Sequence, residues 1–375
     1  WAAMAGLRPR TSWLAPAVAL GAIALPQVAI YPGIVWKDIW FAESAIAGFV
    51  LVALALQRSA PGARWALLVP AALLFAAAGL LRQNGLILAP PAALAIAWAG
   101  WPRGGRRALA DATLWLVAVG AAALALSALA QPQGAGRPDR AGASGLRILQ
   151  AYDIVGAAAR APLPLSHIDR AAPAADDEIR RRAAIDYSPE RVDTLGADKT
   201  LQQALASAPG EALQAEWVDL ILRRPETYLA VRAEVFRWVF ATPVIDRCLP
   251  VAIGVDGPPS ALADLDMPPR RTRDDVRLYN YVTWFLDTPA YSHVTYAALA
   301  LVVGILLLLR REPADLAMAA LMAGALGFTA SFFVISIACD YRYLYLLDMA
   351  AVTGALYLAL DPRLSRRTGP RRAGR

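Results

Sequence analysis

Long apolar stretches recur along this chain, about 16–24 residues each, close to the ~20 residues a helix needs to cross the hydrocarbon core of a bilayer. Eight can be placed, at 13–30, 39–56, 65–81, 86–101, 112–130, 291–309, 314–337 and 344–360. In lipid every backbone polar group must be satisfied within the segment, so the stretches read as helices. The composition agrees: 58% of residues are hydrophobic, 18% are charged, and mean hydropathy is +0.42. The expected fold class is an all-α membrane protein, a multi-span bundle of about eight helices. Pro26, Pro70, Pro90 and Pro91 fall inside spans, where neighbouring helices can re-satisfy the freed carbonyls.

Four parts follow from the pattern. Residues 1–130 hold five spans, 131–290 form one long polar segment, 291–360 hold three spans, and 361–375 form a basic tail. The long segment opens on a Gly/Pro/Arg-rich linker, "QPQGAGRPDRAGASG". It continues with helical patterns in "DDEIRRRAAID", "DKTLQQALASA" and 211–241, the last broken at Pro225. A mostly helical extracytoplasmic domain is expected there.

The formal charge of +7 does not call for nucleic acid, because the cations collect in short loops and in the tail. Alternate loops on one side carry Arg8, Arg10, Arg58, Arg64, Arg103, Arg106, Arg107, Arg310, Arg311 and six tail arginines. The other side carries Lys37, Arg82 and Arg342. The positive-inside rule makes the first side cytoplasmic, with both ends of the chain inside. Abundant Arg and Ala and only two lysines, Lys37 and Lys199, suit a GC-rich bacterial genome and the bacterial inner membrane. The chain begins on Trp and reads as an N-terminally truncated fragment.

This orientation puts three polar clusters on the outer face. The first is "WKD", where Lys37 and Asp38 sit between Trp36 and Trp40. Lys37 suits the phosphate of a lipid-linked substrate, with Asp38 orienting it or bonding a sugar hydroxyl. Interfacial anchoring by the tryptophans is the alternative. The second is "LLRQNG", where Arg82 and Asn84 occupy a tight turn and Arg82 either snorkels or faces inward as a phosphate ligand. The third is "ACDYRYLYLLD", with Asp340, Arg342, Tyr343, Tyr345 and Asp348. Tyr345 and Asp348 lie three apart and share a helical face, and a charge inside a span, as at Asp348, usually faces the bundle interior. His293 also lies at an outer helix end, as a structural or a catalytic residue. Three helix ends bearing cations and hydrogen-bonding groups suit one anionic, hydroxyl-rich ligand. Cys248 and Cys339 both fall outside and either pair or stand as small apolar residues.

Four stretches, "PGIVWKDIWFAE", "AAGLLRQNGLILAPPAAL", "LILRRPETYLAVRAEVFRW" and "FVISIACDYRYLYLLDMAA", give most of the chain a resemblance to the GT-C superfamily of membrane glycosyltransferases. It looks closest to a branch that uses polyprenyl-phosphate-linked sugars. The resemblance implies an inverting transfer from that donor to a hydroxyl on a glycan, lipid or protein acceptor. Basic residues would stabilise the departing phosphate, and an acid in the first outer loop would act as base. That loop would precede residue 1, so Asp38 takes a supporting role. No cofactor and no metal site is called for, with a divalent cation left open.

Two other readings compete. A polysaccharide polymerase or ligase also pairs many spans with a large Arg-bearing outer loop. The other is a transporter or a non-catalytic assembly subunit; a transporter would favour ionisable groups near the bilayer midplane, whereas the charges here sit at span ends. The orientation is directly testable. Reporter fusions at Arg106 are expected to read cytoplasmic and fusions near Asp198 outside; an outside reading at Arg106 inverts the scheme.

Overall fold

A computed structural model describes residues 1–8, 12–34, 36–130 and 140–363, with the side chains of 140–143 excepted. It is all-α, 79% helical, with no strand among the described residues. Seven helices are long and apolar enough to cross a membrane: Lys37–Leu56, Pro61–Leu81, Gly85–Arg103, Gly105–Ala130, His293–Arg310, Pro313–Ile335 and Tyr341–Leu360. The chain is therefore a multi-pass membrane protein.

The expected span at 13–30 is broken. Leu14–Ile23 and Pro26–Gly33 meet at 66°. The residue before a proline is disfavoured in the helical region. Leu25 obeys this with φ −66° and ψ 136°, which turns the chain between the two pieces.

Contacts divide the chain into two compact units. The first comprises Trp1–Ala130, Ile253–Phe328 and Tyr345–Arg375 and holds the membrane helices, apart from the end of Pro313–Ile335 beyond Phe328 and the start of Tyr341–Leu360 before Tyr345. Its helices approach closely where side chains are small. A Cβ added at Gly48 would lie 2.9 Å from the Phe75 ring, and one at Gly354 would lie 2.8 Å from the Met322 sulfur. Phe75 stands edge-on between Phe49 and Trp115, whose indole donates to the Leu68 carbonyl at 2.9 Å. Residues 253–290 join this unit, where the Tyr281 hydroxyl donates to the Ala24 carbonyl.

One end of the bundle is tied by buried charge. Arg310 at the end of its helix donates to Asp315 through Nε at 3.1 Å and Nη2 at 2.7 Å. The Tyr357 hydroxyl donates to the same carboxylate at 2.8 Å, and Arg8 reaches Asp315, Glu312 and Tyr357. Arg8 and Arg310, which the sequence places among loop cations, are thus buried and paired.

The second unit comprises Gln131–Ala252 and Thr329–Leu344. Of the expected linker, 131–139 lies outside the described residues. From Arg140 the chain is already helical, to Arg160, despite its glycines. Packing of Tyr152, Ile154 and Val155 against Ile168, Ile179 and Val231 outweighs the weak helix propensity of that start. The patterns at 173–186 and 199–207 form helices, and the break at Pro225 separates Gly210–Arg223 from Pro225–Ala241.

Within this unit the 329–344 segment is fastened three ways. Arg232, fully buried, pairs with Asp153 and donates to the carbonyls of Val334 and Ser336 at 2.9 Å each. The Trp217 indole supplies Asp153 with a further bond at 2.8 Å. The Cys339 amide donates to the Glu190 carbonyl at 3.0 Å. Cys248 and Cys339 form a disulfide with a Cα–Cα distance of 5.0 Å across 91 residues. Closing so long a loop removes much chain entropy from the unfolded state. Replacing both cysteines with alanine is expected to lower unfolding stability by about 2–4 kcal/mol in denaturant titration. Full thiol labelling of unreduced, denatured protein would show that no bridge forms.

Candidate functional site

The first unit carries a polar layer at the end of the bundle where Lys37–Leu56, His293–Arg310 and Tyr345–Leu360 begin and Pro61–Leu81 finishes. Its first member arises from the start of the Lys37–Leu56 helix. Neighbours on a helix point about 100° apart, so Lys37 and Asp38 cannot share a direction. Asp38 turns inward, 3% exposed, in the first turn, where a negative charge suits the helix dipole. There it receives the Arg82 guanidinium from the residue that ends Pro61–Leu81. Gly85 allows the following turn to close tightly, since a Cβ there would sit 2.5 Å from the Ala78 carbonyl oxygen and 2.9 Å from the Phe41 ring. Asn84 begins the short Gly85–Leu88 turn of helix.

Lys37 is exposed and makes no ion pair or hydrogen bond among the described residues. Trp40, 57% exposed, lies on its side of the helix. Glu43 is also exposed on that helix. The opposite face, with Phe41, Ala45, Gly48, Phe49 and Val52, is buried.

The second member is a buried dyad. His293 Nδ1 lies 2.9 Å from Asp348 Oδ1, and both residues are wholly buried. The sequence placed Asp348 toward the bundle interior and left His293 open between structural and catalytic roles; the structure joins them. Gln27 lies beside this dyad's helix, donating to the Ala290 carbonyl and to the Tyr296 hydroxyl at 3.4 Å, while Tyr296 donates to Ala290 at 2.9 Å. Aromatic rings link the two members. Tyr31 lies 5.7 Å from Trp36 and 5.2 Å from Tyr345, centroid to centroid. The side chain of Tyr345 is thus core, with the Glu43 carboxylate within electrostatic range of its phenol.

The remaining sequence candidates belong to the second unit. Arg342 Nη2 donates to Asp340 Oδ2 at 2.8 Å, so the two charges satisfy one another. The Arg342 guanidinium also lies 5.8 Å from the Tyr343 ring centre, and Tyr343 stacks on Phe332 at 6.0 Å. Among the described residues no group of three or more His, Cys, Asp or Glu is placed to hold a metal ion.

Sequence reasoning passed over Gln27, Tyr31 and Glu43. Gln27 and Tyr31 lie at a bend that only Pro26 announces. Glu43 sits within an apolar run as a lone charge, a signal that could have been used. Comparison with protein-family models, with curated proteins and with solved structures finds no match to this chain.

The Asp38–Arg82 pair has a measurable consequence. Removing one partner of an ion pair this little exposed costs about 3–5 kcal/mol. Arg82→Ala is therefore expected to lower thermal stability in detergent sharply. Arg82→Met combined with Asp38→Leu should recover most of the loss. Equal stability of Arg82→Ala and the parent protein would show that the pair is not formed.

Proposed function

We propose that this chain is a membrane glycosyltransferase that moves a sugar from a polyprenyl-phosphate carrier to an acceptor hydroxyl on the extracytoplasmic face of a bacterial inner membrane, with inversion. In that reaction the acceptor oxygen attacks the anomeric carbon. The bond from that carbon to the phosphate oxygen breaks, and the phosphate leaves on its lipid. The hydroxyl proton passes to a general base. What such a transfer asks of the protein is a cation at the membrane boundary, where a lipid-borne phosphate lies.

The observation that carries the reading is Lys37. It is exposed at the start of a membrane helix between two tryptophans, and its neighbour Asp38 is taken up by Arg82 instead of neutralising it. A charge-assisted contact from Lys37 to the departing phosphate stabilises the transition state. Asp38 and Arg82 position that helix end, and Asn84 shapes the adjoining turn. The disulfide in the second unit supports an outside location for that unit, because such bonds persist in oxidising compartments. The resemblance of the "WKD", "LLRQNG" and "DYRY" stretches to the GT-C superfamily supports the same assignment.

The test is transfer by the full-length protein in lipid nanodiscs from a panel of undecaprenyl-phosphate-linked sugars. Lys37→Ala is expected to lower transfer about tenfold or more with thermal stability unchanged, the size of one charge-assisted hydrogen bond. Lys37→Arg should retain part of the activity. Absence of sugar release from every donor in the panel would overturn the assignment.

A further inference from the structure

The face of the Lys37–Leu56 helix that points away from the packed bundle carries a specific chemistry. At about 100° per residue, Lys37, Trp40, Glu43 and Ser44 fall on one side of the helix. Lys37, Trp40 and Glu43 are exposed and Ser44 is half-buried, while Asp38, Phe41, Ala45 and Phe49 are buried on the other side. Cation, indole, carboxylate and hydroxyl thus follow one another along one surface.

Glu43 is the unusual member. Six residues of rise put it about 9 Å along the axis from Lys37. The interfacial layer is on the order of 6 Å thick per leaflet, so Glu43 lies beyond it if Lys37 marks the boundary. A carboxylate at that depth is costly unless it faces a cavity, a ligand or a partner charge. Glu43 makes no ion pair or hydrogen bond among the described residues. Its carboxylate lies within electrostatic range of the Tyr345 phenol. Asp38 lies only five residues earlier but about 140° around the helix, and Arg82 already occupies it. The two carboxylates of this stretch therefore divide their work. Asp38 holds the bundle together, and Glu43 is the one presented outward.

We propose that Trp40 and Glu43 form the surface that recognises the sugar of the lipid-linked donor, with Lys37 on its phosphate. This inference rests on the glycosyltransferase reading above and adds the recognising residues to it. An indole face packs against the apolar face of a pyranose ring. A carboxylate accepts hydrogen bonds from sugar hydroxyls, and such charge-assisted bonds are the stronger kind. The order along the helix, with Lys37 at the boundary and Glu43 deeper, has the phosphate at the headgroup level and the sugar folded down along the helix.

The experiment is carboxyl labelling of the full-length protein in nanodiscs with an apolar carbodiimide, read by mass spectrometry. It is run beside direct binding of undecaprenyl phosphate and of undecaprenyl-phosphate-linked glucose, mannose and aminoarabinose. Glu43 should label and Asp38 should not. A sugar-bearing probe that binds should slow labelling of Glu43, and undecaprenyl phosphate alone should not. Glu43→Gln and Trp40→Ala should each weaken binding of that probe about tenfold or more, leaving undecaprenyl phosphate binding within about twofold. Lys37→Ala should weaken both. If the probe binds yet neither protects Glu43 nor responds to these substitutions, the sugar surface is elsewhere and the inference falls while the proposed function stands. Binding of no probe at all overturns the proposed function, and the sugar surface with it.

Discussion

The ion pair between Asp38 and Arg82 sets the rotation of the Lys37–Leu56 helix about its axis. A carboxylate at the top of a membrane helix has few options: it must reach water, a cation or a hydrogen-bond donor. Arg82 arrives at the end of the next membrane helix and supplies a cation on the bundle side. Once Asp38 points inward, 3.6-residue periodicity fixes the rest. Phe41, Ala45 and Phe49 follow it into the core, and Lys37, Trp40 and Glu43 are carried to the opposite side. The chemistry of the exposed face is thus a consequence of one buried contact.

The same economy governs the other helices of the membrane unit. His293 and Asp348 pair where their helices begin, and Arg310, Asp315, Arg8 and Tyr357 knit together where helices end or start at the opposite pole. Apolar side chains gain nothing by leaving lipid for one another, so helix association in a membrane leans on close packing and polar contacts. Small residues at Gly48 and Gly354 provide the first and the buried ionic clusters the second. The second unit has a core of its own, built around Tyr152, Ile179 and Val231, and uses a covalent bond and the Asp153–Arg232 pair to fasten a segment about a hundred residues distant in sequence.

Much of the fold was legible because bilayer thickness imposes a length on every crossing helix. Seven of the eight apolar runs became single helices. The eighth bent at Leu25–Pro26, where the sequence shows a proline but not whether neighbours will hold the span straight. The site was only half legible. Lys37 was visible as a lone lysine at a boundary, and Asp348 as a carboxylate on a bundle-facing position. The dyad with His293 was not, because two residues 55 apart carry no local signal of each other. Asp340 and Arg342 were visible as charged groups of one cluster, but that they pair with one another at 2.8 Å was not.

The sequence by itself determined the all-α class, the places of seven of the eight apolar helices, and the helical nature of the large polar segment. Each of these follows from hydropathy and periodicity within a window of some twenty residues. Tertiary structure decided which charges are spent on cohesion and which are left exposed. Asp38 and Glu43 are both acids in one helix, and nothing in the stretch between them tells them apart. Arg82, 44 residues beyond Asp38, does so by occupying the first and leaving the second exposed. Long-range partners make that choice because a buried charge takes its free energy from whatever the fold brings within reach, and only the folded chain fixes what that is.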